Sequence, residues 1–140
     1  MIGLVACGKS KLTRPSRAEL MYIGPYFTLA RRLVTRHCAT WRILSAKYGV
    51  LNPHRIITPY NVTLSDYDAP RRRLWSQRVH AALLEEFGDG AKYMAVAGAL
   101  YTDALCGFDV HAPVAGMPMG IGMQKMIALL RAPAGRKGAS

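Results

Sequence analysis

Residues Met1 to Leu12 read MIGLVACGKSKL. Ile2 to Ala6 are apolar or small, as in a strand buried on both faces of a parallel sheet. The run breaks at Cys7-Gly8-Lys9-Ser10-Lys11, so a buried strand delivers a thiol, a glycine, a hydroxyl and two amines to one point. In open α/β sheets, ligands bind beyond the carboxyl ends of the strands, beside a switch in strand order. One short segment therefore predicts both a fold class and the place of a site.

Working outward, Ser16 and Glu19 have capping-box spacing, and a helical turn is expected over Arg17 to Tyr22. Gly24-Pro25 opens a longer helix whose Tyr26, Ala30, Leu33, Val34 and His37 share one face. Trp41 to Leu44 forms the second strand and ends in Ser45-Ala46-Lys47-Tyr48-Gly49. From Val50 to Leu64, prolines 53 and 59 and the lack of a period predict an ordered, irregular loop. Asp68 caps a helix over Pro70 to Phe87, with Trp75, Val79, Ala82, Leu83 and Phe87 as its buried stripe and Gly88 as its stop.

Lys92 to Ala97 is the third strand and ends at Gly98; a short helix follows over Tyr101 to Leu105. Val110 to Val114 is a weaker fourth strand. The glycine-rich loop Gly116-Met117-Pro118-Met119-Gly120-Ile121-Gly122 leads into a last helix ending near Leu130. Regular alternation of strand and helix predicts one three-layer α/β domain over residues 1–131, Rossmann-like. Its sheet is mainly parallel, of about four strands, with helices on both faces. Residues 132–140 are expected to be a disordered basic tail.

Composition narrows the function classes. Nineteen Lys and Arg against eight Asp and Glu give a formal charge of +11. A field of that sign attracts phosphate, so the expected partner is a nucleotide, a modified nucleoside or a nucleic acid. No apolar run approaches the ~18 residues of a bilayer span, and no membrane partner is expected. The first residues lack a charged leader, so Ile2 to Ala6 is read as a strand rather than a signal peptide. Cys7, Cys38 and Cys106 have no CxxC spacing and read as reduced thiols of a cytoplasmic protein. Spacing implies neither a metal site nor a cofactor, and it leaves the oligomeric state open.

Candidate site residues follow from the strand ends. Gly8 lets backbone approach a ligand, with Cys7 and Ser10 beside it. Lys9 or Lys11 could neutralise a phosphate or act as nucleophile or base, since a turn can aim either at the pocket, and Lys11 is the candidate nucleophile or electrostatic catalyst. Ser45 and Lys47 repeat the hydroxyl and amine on the second strand, with Tyr48 and Gly49 beside them. Gly98, Gly116, Gly120 and Gly122 are placed at the same rim as phosphate-cradling glycines. Asp66 and Asp103 are the carboxylates nearest the presumed site loops. Arg71, Arg72 and Arg73 crowd a helix start that disfavours cations, which points to a phosphate partner.

CGKSKL, AELMYxGPxF over Ala18 to Phe27, ILSAKYGVL and PYNVTL over Pro59 to Leu64 resemble an uncharacterised bacterial and phage domain family. That family is distantly similar to the peroxide-stress protein YaaA, and the resemblance runs through AGALY to the closing GIG. Cys7-x-x-x-Lys11 is similar to the signature of the archaeosine synthase core, where the lysine attacks a 7-deazaguanine base. Leu12-Thr13 stands where that signature has Pro-Tyr. The segment from Tyr22 through Gly24 to Phe27 resembles the YxxGPxF segment of nucleoside deoxyribosyltransferases, one residue short. Tyr48 and Tyr22 are expected to contact the base, with Gly24 and Tyr60 as further ligand-binding residues. The expected function is a nucleobase- or nucleotide-processing enzyme acting at an N-glycosidic bond or modified base; the alternative is a non-catalytic DNA- or RNA-binding module.

Overall fold

The computed structural model describes residues 1–133. In chain order its elements are β1 (Ile2–Ala6), β2 (Ser16–Arg17), α1 (Ala18–Met21), α2 (Pro25–His37), β3 (Thr40–Ser45), β4 (Gly49–Leu51) and β5 (Ile56–Ile57). A 3-10 turn (Leu64–Asp66), α3 (Ala69–Phe87), β6 (Lys92–Val96), α4 (Ala99–Asp103), β7 (Asp109–His111) and α5 (Met119–Arg131) complete them. The main sheet has the order β4-β3-β1-β6-β7, and β3, β1, β6 and β7 run parallel. The α/β class, the parallel sheet and the helical layers are as the sequence predicts.

Alternation along the central strands divides the core in two. Val5, Ile43, Met94 and Val96 pack with Leu33 and Val34 of α2 and Met126 of α5. Leu4, Leu44, Tyr93 and Ala95 pack with Trp75, Val79 and Leu83 of α3. Each buried aliphatic side chain contributes about 1.5–3 kcal/mol on transfer from water. Gly3 is glycine because α2 passes directly over it: a Cβ there would lie 2.7 Å from the Cβ of Val34.

The connection through α2 carries β1 to one side, to β3, whereas α4 carries β6 to the other, to β7. Neighbouring strands β1 and β6 thus send their chains in opposite directions, and a crevice opens beyond their carboxyl ends.

Several expectations are corrected. Residues 50–64 are not uniformly irregular, since β4 pairs antiparallel with β3 and β5 pairs with β2. The cause is Gly49, whose φ of +74° lets Ala46–Tyr48 reverse the chain as a hairpin turn. The Ser16–Glu19 capping box does not form; Ser16 joins β2, and Glu19 forms ion pairs with Arg17 at 3.0 Å and Arg31 at 3.7 Å. The fourth strand ends at His111 rather than Val114.

The stretch from Gly116 to Gly122 is not one loop, because α5 begins at Met119 behind Pro118 and takes Gly120 and Gly122 into the helix. Asp68 does cap α3, accepting the Arg71 N–H at 3.0 Å. Ala132, placed at the start of the tail by the sequence, has its carbonyl held by the Arg36 guanidinium. From residue 134 that tail lies outside the described residues.

Candidate functional site

A cleft of about 530 Å³ occupies the crevice between β1 and β6, within the ~300–1,000 Å³ range of small-molecule sites. Cys7, Gly8, Lys9 and Ser10 form the side that continues β1, and Gly98 and Ala99 the side that continues β6. Gly24, Pro25, Tyr26 and Phe27 at the start of α2 and Met117 and Met119 at the start of α5 close the walls, with Leu100, Tyr101 and Thr63 to Ser65 also in the lining.

The cleft combines two chemistries. Cys7 N–H still donates to the Leu44 carbonyl at 3.0 Å, extending the sheet by one bond. The next three amides, of Gly8, Lys9 and Ser10, donate no hydrogen bond to protein among the described residues. Lys9 supplies a cation, and no carboxylate belongs to the lining. Against this polar end stand Tyr26, Phe27, Leu100, Tyr101, Met117 and Met119, an apolar and aromatic wall. Such a cavity suits an anion attached to a flat apolar group.

Beside the cleft lies a cluster of phenols whose polar groups satisfy one another. The Tyr22 and Tyr60 hydroxyls are 2.6 Å apart, and the Tyr60 hydroxyl is 2.7 Å from Ser45 Oγ. Ser45 is fully buried and also accepts the Tyr48 N–H at 3.1 Å. Burial pushes the Tyr22 and Tyr60 phenols far above the ordinary tyrosine value, so both stay protonated. Lys11 Nζ rests 4.6 Å from the Tyr60 ring centroid and 5.8 Å from that of Tyr22. Its backbone is fixed because the loop runs back against Tyr22, with Leu12 N–H donating to Met21 O at 2.9 Å and Ile23 N–H to Ser10 O at 3.0 Å. Burial lowers the Lys11 pKa, with the nearby Cys7 opposing the shift.

The cleft and the cluster meet at Phe27. Tyr22 packs on cleft-lining Phe27 with centroids 4.9 Å apart. Cys7 Sγ lies 3.3 Å from the Tyr101 hydroxyl, and burial raises the pKa of that phenol as well.

Of the candidates named from the sequence, Cys7, Gly8, Lys9, Ser10, Gly24 and Gly98 line the cleft. Lys11, Tyr22, Ser45, Lys47, Tyr48 and Tyr60 gather in the adjoining cluster rather than in the lining. Lys9, not Lys11, is the lysine of the lining. Ser45 is a buried tether with its hydroxyl engaged, not a group open to substrate, and its carbonyl is held by the Trp75 indole at 2.9 Å.

Gly49 is a buried turn residue, since a Cβ there would lie 3.0 Å from the Arg78 guanidinium. Gly116, Gly120 and Gly122 stay outside the lining, and Gly122 is packing: its open side meets the Tyr26 ring at 3.7 Å. Asp66 turns back to accept the Thr63 N–H at 2.8 Å, and Asp103 is exposed at the end of α4. Arg71 and Arg73 are exposed on α3 away from the lining, while Arg72 donates to Tyr67 O at 2.7 Å. Asp68 offsets the charge conflict that made these arginines stand out.

Sequence reasoning missed Tyr101, Tyr26, Phe27, Leu100 and Thr63 as site residues. The signal was in the strings AGALY, YxGPxF and PYNVTL, whose ends carry them.

Comparison with known proteins adds kinship without chemistry. Residues 2–128 match a family of unknown function, DUF6884. The uncharacterised protein YfjM of Bacillus subtilis (strain 168) is 34% identical over 67 residues, 43% of this chain and 45% of YfjM. The chain thus spans less than half the length of that curated relative.

Proposed function

This chain belongs to the DUF6884 family of unknown function, and from its site we propose a nucleotide- or nucleobase-processing enzyme that acts on a modified base or at its N-glycosidic bond. The observation that carries this reading is the pairing, in one cleft, of three amides without a protein partner and Lys9 with an aromatic wall and no carboxylate, among the described residues. Phosphate takes the amides at the end of β1, where glycine allows close approach. The base lies against Phe27, Tyr26 and Tyr101. Lys11, whose amine is easier to deprotonate than a solvated one, is the nucleophile or electrostatic catalyst after its four-carbon stem turns from the Tyr60 face towards the cleft. With no carboxylate in the lining, attack by an amine is favoured over acid-base chemistry on the carboxylate-pair pattern. A cytoplasmic setting goes with this reading.

The distant similarity to YaaA of the family these motifs resemble supports a second reading, a DNA- or RNA-binding module without turnover. Mass spectrometry of nucleotide and modified-nucleoside pools incubated with protein separates the two. Wild type is expected to deplete at least one species, and Lys11→Ala is expected to leave it intact. If wild type changes no pool and no nucleotide raises its melting temperature, the cleft is not a nucleotide site and the enzymatic reading falls.

A further inference from the structure

Lys47, Arg55 and Lys11 share an unusual arrangement. Arg55 lies 5.0 Å and Lys47 5.3 Å from the Tyr48 ring centroid. Lys47 is also 5.9 Å, and Lys11 4.6 Å, from the ring of Tyr60, which meets Tyr48 edge-on at 5.6 Å. Cations and half-exposed rings thus alternate from the β3–β4 hairpin towards the cleft. None of these cations pairs with a carboxylate among the described residues, whose ion pairs engage Arg17, Arg31, Arg42 and His54 instead. The hairpin tip is held still, because Arg78 donates to the Lys47 carbonyl at 2.9 Å.

We infer that this ridge is a track for single-stranded nucleic acid, so that the substrate of the cleft is one residue of a polymer. This rests on the nucleotide reading of the cleft for its end point only. Unpaired cations beside aromatic faces fit a strand whose phosphates draw the cationic heads outward while its bases take the ring faces. A duplex keeps its bases stacked on each other and offers only phosphates, so it gains nothing from Tyr48 or Tyr60. An acidic protein surface would gain from the cations but not from the rings.

The test is fluorescence anisotropy on labelled oligomers of about 12 nucleotides, thymidine and uridine strands and a duplex, over a salt series. Lys47→Ala/Arg55→Ala is exposed on both sites and should fold as wild type by circular dichroism. It is expected to weaken single-strand binding about tenfold and to flatten the salt slope by about 1.4, or roughly 0.7 per lost phosphate contact. Tyr48→Leu should weaken single strands while leaving the slope unchanged. Mononucleotide affinity should be the same in all three proteins. The thymidine and uridine arms distinguish DNA from RNA as the source.

Unchanged affinity and slope in the double variant overturn the track, as does a duplex bound as tightly as a single strand and indifferent to Tyr48→Leu. Competition by polyglutamate as effective as by oligomer also overturns it, in favour of an acidic protein partner. If wild type ignores mononucleotides while oligomer binding depends on the ridge, the track stands and the cleft reading fails.

Discussion

The cleft and the phenol cluster adjoin each other, and both are rich in polar groups, yet they differ in how those groups are satisfied. In the cluster, the hydroxyls of Tyr22, Tyr60 and Ser45 bond to each other, and the Tyr48 amide closes the chain. At the cleft, the amides of Gly8, Lys9 and Ser10 have no protein partner among the described residues, and the wall opposite is apolar. A self-satisfied buried network rigidifies, whereas donors left open on a concave surface await something else. On the proposed function, the cluster holds the architecture of the site, and Lys11 reaches from it to the cleft.

The comparison is broken most directly by Lys11→Ala. If Lys11 acts chemically, turnover should fall by about 10²–10⁴-fold, with the melting temperature close to that of wild type because the amine is only partly buried. A variant that unfolds, or that keeps full turnover, would move Lys11 into the structural half of the site.

Ser45→Val should do the reverse. It leaves the Tyr48 amide and one side of the Tyr60 hydroxyl without a partner in a buried place, at a cost of about 1–3 kcal/mol. Denaturant melts should show that loss with an unchanged slope, while ligand affinity per folded molecule stays the same. A stable Ser45→Val that fails to bind ligand would show that the network itself is part of the binding surface.

Alkaline titration sharpens the contrast further. The phenols of Tyr22, Tyr60 and Tyr101 are raised above 10.0 chiefly by burial. Their stabilising contribution is therefore complete below the unfolded value of 10.0 and is lost as pH climbs through the higher folded values. Lys11, lowered from 10.5 by burial, has the opposite sign: its contribution is complete above 10.5 and declines as pH falls through its folded value. Absorbance should show these phenols ionising only together with unfolding, and Tyr60→Phe should make stability less sensitive to pH above 10.0.

Much of the fold was legible because the buried parts of β1, β3 and β6 are apolar and each run is followed by glycine or small polar residues, the pattern of a parallel sheet. The crevice residues Cys7 to Ser10 and Gly98 followed from topology alone. The hairpin did not, because SAKYG serves equally as a strand end before a crossover and as a turn, and only the φ of Gly49 separates the two. Nor could the sequence say that Tyr60 would reach Tyr22 and Ser45, since that contact depends on β5 pairing with β2 to bring the 50s loop back. Gly122 was over-read for a related reason: it serves the close packing of α5 on Tyr26, and no local pattern reports such packing, just as none reports that of Gly3 under α2.

The smallest expected effect tests the absence on which the contrast leans, that of a carboxylate at the cleft. Asp66 is spent on the Thr63 amide, and Asp103 is exposed beyond the lining. Asp103→Asn should change turnover by less than about twofold, well short of the ~10²-fold of a catalytic acid or base. Asp66→Asn should cost no more than about 1 kcal/mol as a weakened cap, with turnover per folded molecule unchanged. Suppose instead that Asp103→Asn abolished activity without loss of stability. The end of α4 would then have to swing into the cleft during the reaction, a carboxylate would be present when the bond breaks, and an oxocarbenium-type route at the glycosidic carbon would displace amine attack. The cleft would in that case be incomplete as it stands, and the division between a rigid cluster and a ready cavity would give way to one in which α4 completes the site.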